Sequence, residues 1–149
     1  THFFEEAFPT ALLGLKENTP AAWGQMNATQ MVDHLRKGIL ISLKDEEREI
    51  TTPPEHLTKS KAFLLSDREF GHGLPAPKEY TQTPSLIGDF EDCQKALLKA
   101  TILMLEFFKE NPKFSSVHPS FGRLTADEWL HLHKKHIRHH FCQFNLHLS

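Results

Sequence analysis

The chain has 149 residues, 39% hydrophobic and 24% charged, with 17 Lys and Arg against 19 Asp and Glu for a formal net charge of −2. That is the length of one domain, 1–149, large enough to bury about 70% of its unfolded surface without staples. The near-even charge argues against a nucleic-acid partner. The lack of any apolar run near 18 residues argues against a membrane one, and Cys93 and Cys142, outside any CxxC, fit a reduced cytoplasmic protein.

In chain order, Phe3, Phe4, Ala7, Phe8, Leu12, Leu13 and Leu15 make an approximate helical repeat over residues 2–16, interrupted at Pro9. A helix kinked or restarted at the proline is predicted. Residues 18–24 (NTPAAWG) are a connector. Asn27 as N-cap, Gln30 three residues on, and Met26 with Met31 as a flanking apolar pair mark the start of the next helix. It runs to about Lys44 with Met31, Leu35, Gly38, Ile39 and Ser42 on one side and His34 at that side's margin.

Residues 51–55 (TTPPE) break the pattern and 58–65 predict a short helix. Residues 66–84 show no periodicity and hold two Gly and three Pro. That is long for a structureless connection, and reads either as a lid or pocket wall or as a plain crossover. Thr83 and Pro84 open a helix over 85–110, with Ile87, Phe90, Leu97, Leu98, Ile102, Leu105 and Phe108 as its expected buried stripe. Residues 111–124 read as a second loop. Thr125 and Glu128 then form a T-x-x-E capping box, with Leu124 and Trp129 as its staple. No strand-type alternation and no repeat appears, so the expected fold is an all-α four-helix bundle with long middle connections.

The last helix, WLHLHKKHIRHHFCQFNLH over 129–147, holds six of the eleven histidines. At roughly 100° per residue, His140 lies about 40° and His133 about 60° from His136, within the arc flanked by Leu132, Ile137 and Phe144. Lys134, Lys135 and Arg138 fall on the outer side. Two imidazoles at i, i+4 on an inward face are spaced to share a metal ion, whereas a single inward histidine is more simply a satisfied core residue. His34, the one histidine of the second helix, is the best third candidate and His133 the rival. His2 sits near a chain end, and His56, His72 and His118 fall in Pro- or Gly-rich stretches. Three imidazoles with an open position are the ligand set of a catalytic metal.

The segments WGQMNATQMVDHL (23–35) and HPSFGRLTADEW with the following HHFCQF (118–144) resemble a little-characterised branch of the DinB/YfiT-like superfamily of metal-dependent enzymes. The resemblance covers the chain from about residue 20 to the end. It implies a four-helix bundle in which His34, His136 and His140 bind a divalent metal (Zn, Ni, Fe or Mn), with Gln143 matching a Gln that often follows the final ligand. The adjacent His139 departs from the pattern; the i, i+4 spacing and the apolar arc favour His140. The chemistry implied is hydrolysis, or thiol transfer with a low-molecular-weight thiol as partner, on a small-molecule substrate, in a protein that pairs as a homodimer. No HExxH, Gly-rich phosphate loop or G-x-S-x-G is present, so no proton-transfer residue is assigned and nucleotide and serine-hydrolase chemistry are disfavoured. The alternative is a non-catalytic metal-binding or stress-response bundle with a structural metal, and the third reading is a bundle whose histidines serve structure alone.

Overall fold

Where Pro9 withholds its amide, the first helix changes register. A computed structural model describes residues 2–72 and 87–148. In it a π-helical segment Phe3–Ala7 runs into α1 (Phe8–Leu12), and the amide of Phe8 bonds back to the carbonyl of Phe3. The wider π turn places the missing donor at the start of α1, where no intrahelical partner is needed. Phe3, Phe4, Phe8 and Leu12 face the core.

The capped starts form as the sequence predicts. In α2 (Ala28–Ser42) the Asn27 side chain accepts from the Gln30 amide at 2.8 Å and Gln30 Oε1 accepts from the Asn27 amide at 2.9 Å. A 3₁₀ turn Pro54–His56 leads into α3 (Leu57–Leu65). In α5 (Ala126–Gln143) the Thr125 amide donates to Glu128 Oε1 at 3.0 Å and the Glu128 amide to Thr125 Oγ1 at 3.3 Å. Each box satisfies two amides that a helix leaves unpaired.

The fourth helix differs from expectation. α4 (Phe90–Glu110) starts at a capping box between Asp89 and Asp92; the expected opening at Thr83, Pro84 and Ser85 lies outside the described residues. Its buried stripe is Cys93, Leu97, Ala100, Thr101, Met104 and Phe108, while Ile87 and Ile102 are 53% and 58% exposed. The stripe is set by the face that α2 covers, and α2 against α4 is the most extensive helix contact. α5 packs on α2 and α3.

The all-α four-helix bundle is overturned by an antiparallel hairpin, β1 (Ser115–His118) and β2 (Gly122–Thr125), which makes the fold mixed α/β. Ser115 pairs with Thr125 and His118 with Gly122. The stretch expected to be a loop escapes a search for alternation because its strands are four residues long and Ser116, Val117 and His118 are buried in succession. A strand covered on both faces shows no period of two. The hairpin is pinned to the chain after α2. Ser116 Oγ donates to Ser42 O at 2.9 Å, Arg48 Nη1 to Val117 O at 2.9 Å, and the Thr51 amide to Pro119 O at 2.8 Å. β2 then feeds directly into α5, so the hairpin fixes the height at which the histidine helix enters.

No helix among the described residues is long and apolar enough to cross a membrane. Of the 66–84 segment, expected as a lid or pocket wall or as a plain crossover, residues 73–84 lie outside the described residues.

Candidate metal centre

Helix geometry accounts for the site. His136 and His140 stand one turn apart on α5, and His34 faces them from the second turn of α2. His34 Nε2 is 3.0 Å from His136 Nε2, His140 Nε2 is 3.1 Å from His136 Nε2, and one nitrogen from each ring lies within 4.8 Å of the others. The rings meet edge to face, with centroids 4.7 to 4.9 Å apart. His34 and His140 are buried and His136 half-buried. The three proposed ligands are therefore brought together.

The protons can be placed. Gln143 Nε2 donates to the carbonyl of Trp23 at 2.7 Å, which orients the amide so that Oε1 accepts from His140 Nδ1 at 2.8 Å. His140 thus carries its proton on Nδ1 and presents a lone pair at Nε2. His136 Nε2 bears either a proton or a lone pair. In the first case it donates to only one neighbour; in the second it accepts only from His34. Either way at most one of the two contacts near 3 Å is a full hydrogen bond, and a cation between converging lone pairs satisfies both. Two nitrogens bound to one zinc-sized ion at about 2.0–2.1 Å stand about 3.0–3.4 Å apart for near-octahedral to tetrahedral angles. The two contacts at His136 match that spacing and the donor set suits a divalent metal, which would draw His34 and His140 closer together than the 4.8 Å that the cluster now spans.

Burial keeps the rings neutral, as ligands must be. The pKa of His140 is lowered to about 3, by burial and then by His34. That of His34 is lowered to about 4, by burial first and the Lys37 ammonium second, with the Asp33 carboxylate opposing. Burial, with His140 and His34, pushes His136 well below the usual range. Asp33, 1% exposed, is held by Lys37 Nζ at 2.7 Å and by Arg36 Nε and Nη2 at 3.0 and 2.9 Å.

The other histidines separate clearly. The rival ligand His133 is 2% exposed, donates or accepts at Ser42 Oγ at 2.9 Å and stacks on Trp129, away from the cluster. His139 lies beside His140 with its ring centroid 4.9 Å away and does not join the nitrogen cluster. His118, expected in a loop, is a buried strand residue whose Nδ1 accepts from the Ser120 amide at 2.9 Å. Lys135, expected on the outer face, is only 9% exposed. It lies over the Phe63 ring with Nζ 4.6 Å from the centroid and donates to the carbonyls of Ser66 and Arg68 after α3. A long amphipathic side chain reaches such carbonyls while covering apolar surface.

The sequence does not single out the rim residues, although Phe70 and His72 lie in the stretch read as a lid or pocket wall or as a plain crossover. Trp23 stacks on His72 at 3.7 Å and 13°; His139 meets Trp23 and His72 edge-on at 6.0 and 6.2 Å. Phe70 meets His136 and His139 at 6.4 and 6.0 Å. The available signals were Trp23 in one connector and Phe70 with His72 in the other, which periodicity does not weigh.

A family model described as "Protein of unknown function (DUF1569)" matches residues 5–146. The chain belongs to the DUF1569 family. No curated protein and no solved structure matches it.

Proposed function

We propose that this DUF1569 protein is a divalent-metal-dependent enzyme acting on a small molecule, of hydrolase or thiol-transferase type, with His34, His136 and His140 as its metal ligands. The observation that carries the reading is the convergence of three neutral imidazole nitrogens, two contacts at 3.0 and 3.1 Å sharing the His136 atom, with the proton of one ring held away by Gln143. When bound, a divalent ion supplies Lewis acidity, by which water or a thiol becomes a nucleophile near neutral pH.

The chain's own residues do the rest. Gln143 holds His140 in the ligating tautomer, and the half-buried Phe70 and His139 adjoin the His136 and His140 rings. Among the described residues no fourth His, Cys, Asp or Glu completes the cluster, which supports a catalytic site over a structural one, since structural zinc takes four protein ligands. The motif resemblance to DinB/YfiT-like enzymes supports the same reaction classes. Both described cysteines are free, which supports a reducing, cytoplasmic setting.

Metal analysis tests this. Wild-type protein is expected to hold about one ion per chain, and His34→Ala, His136→Ala and His140→Ala to lose it. Undiminished metal in the three variants overturns the assignment. On the cobalt-substituted protein, a visible-band change on adding a low-molecular-weight thiol selects thiol transfer over hydrolysis.

A further inference from the structure

We propose that the metal site takes a ligand with two parts: an anionic head that completes the shell of a metal held by His34, His136 and His140, and a flat aromatic or heteroaromatic ring lying on the indole of Trp23, in the place where His72 now stacks. The inference rests on the metal reading above and adds the substrate class.

The slot is drawn by the molecule itself. His72 lies on Trp23 at 3.7 Å with the planes 13° apart, so one face of the indole accepts a flat ring at van der Waals distance. His72 is exposed, while Trp23, Phe70 and His139 are half-buried. The stacked imidazole is therefore the outermost and most readily displaced member of the group. The wall behind it is continuous with the site: His139 touches both Trp23 and His72 edge-on and reaches His140 at 4.9 Å, and Phe70 meets His136. A ring seated on Trp23 would meet imidazole and phenyl edges, the offset and edge-to-face contacts that aromatic rings prefer.

The backbone that carries the indole is fixed in place. The Trp23 carbonyl accepts from Gln143 Nε2 at 2.7 Å, and the Ala22 amide donates to the Gln143 carbonyl at 2.7 Å. Gly24, at φ +82°, packs so closely that a Cβ there would stand 2.3 Å from Gln143 Nε2. The same amide that sets the tautomer of His140 therefore positions the aromatic wall, linking head-group and ring subsites in one element. The head group's charge follows from the ligands: three neutral imidazoles leave the charge of a divalent ion uncompensated, so an anion completes the shell.

Two probes with the same metal-binding head separate the subsites: benzohydroxamate, with an aryl ring, and acetohydroxamate, without one, titrated calorimetrically into zinc-loaded protein. Benzohydroxamate is expected to bind roughly 2- to 12-fold more tightly, the range a favourable aromatic pair gives, and to quench the fluorescence that Trp23→Ala removes. Trp23→Ala brings the two probes to equal affinity with metal content unchanged. His72→Ala, which removes the competing ring, tightens benzohydroxamate alone. Equal affinities in the wild type, an aryl preference that survives Trp23→Ala, or a metal-loaded protein that binds neither probe overturns the slot and leaves the metal site standing. Failure to take up zinc at all overturns both.

Discussion

One side-chain amide, Gln143, decides which nitrogen of His140 carries the proton. Its own orientation is settled by the carbonyl of Trp23, 120 residues away in sequence. Gln143→Leu keeps the bulk but removes the acceptor, freeing His140 to exchange tautomers and rotate. Metal affinity is expected to fall about 10- to 100-fold, the usual effect of losing a partner behind a ligand, with the circular dichroism of the fold retained. Competition with a chromogenic chelator measures it, and an unchanged affinity would refute the role. The histidine trio is legible because helix geometry makes it so: i, i+4 spacing and a capped start fix where His136 and His140 point, and Asn27 fixes the phase of His34. His133 was the misleading neighbour. Its face is as inward as theirs, but its height matches Ser42 at the end of α2 instead of His34, and height along a partner helix is a tertiary fact. Lys135 misled for a related reason, since its stem covers Phe63 and only its tip is polar.

Among the elements, those with local chemistry were readable and those held by remote contacts were not. Among the described residues three capping boxes are written in side chains three residues apart; Asn27–Gln30 and Thr125–Glu128 stand out in the sequence, whereas Pro84 draws the expected helix start away from Asp89–Asp92. The stripe of α4 was misjudged because hydropathy ranks Ile102 above Cys93, Ala100 and Thr101, whereas α2 covers the smaller residues. The hairpin was invisible since its strands are short and β1 is buried without alternation, and one of its inward groups is a hydroxyl. Ser116 Oγ, fully buried, donates to the carbonyl of Ser42, one of the last in α2 and without an intrahelical partner. Ser116→Ala strips that buried carbonyl of its donor and should lower stability by about 1–3 kcal/mol. Urea unfolding of the metal-free protein tests this: the midpoint is expected to drop with the slope unchanged, while metal stoichiometry stays at the wild-type value. A loss of metal with no loss of stability would mean that the hairpin orients the site instead of anchoring the sheet to α2.

For the whole molecule, burying imidazoles that the proposed metal does not use has a cost in acid. His133 and His118 are 2% and 5% exposed, and their pKa values are lowered from 6.5 to about 3 and about 4. Burial is the main cause in both; for His118 the Arg48 guanidinium adds to it, and for His133 His118 does. In the unfolded chain both rings take up protons near pH 6.5, and in the folded protein only near 3 to 4. The unfolded state therefore binds more protons across that interval, and stability rises with pH through it. The stabilising effect of neutral rings is fully present above about pH 6.5 and drains away as the pH falls toward 4. Each ring contributes a slope of about 1 kcal/mol per pH unit where its unfolded form is charged and its folded form is not. Against a total stability of about 5–15 kcal/mol, two such rings remove a substantial share of the metal-free protein's stability by pH 4. Urea midpoints at pH 7.5, 5.5 and 4.5 should therefore fall steeply. His133→Gln replaces a titrating ring by an amide that still reaches Ser42. The variant is expected to start less stable at pH 7.5, for the lost stacking on Trp129, yet to decline more gently, so that the two curves converge in acid. Parallel curves would show that His133 is not among the groups through which acid unfolds the protein.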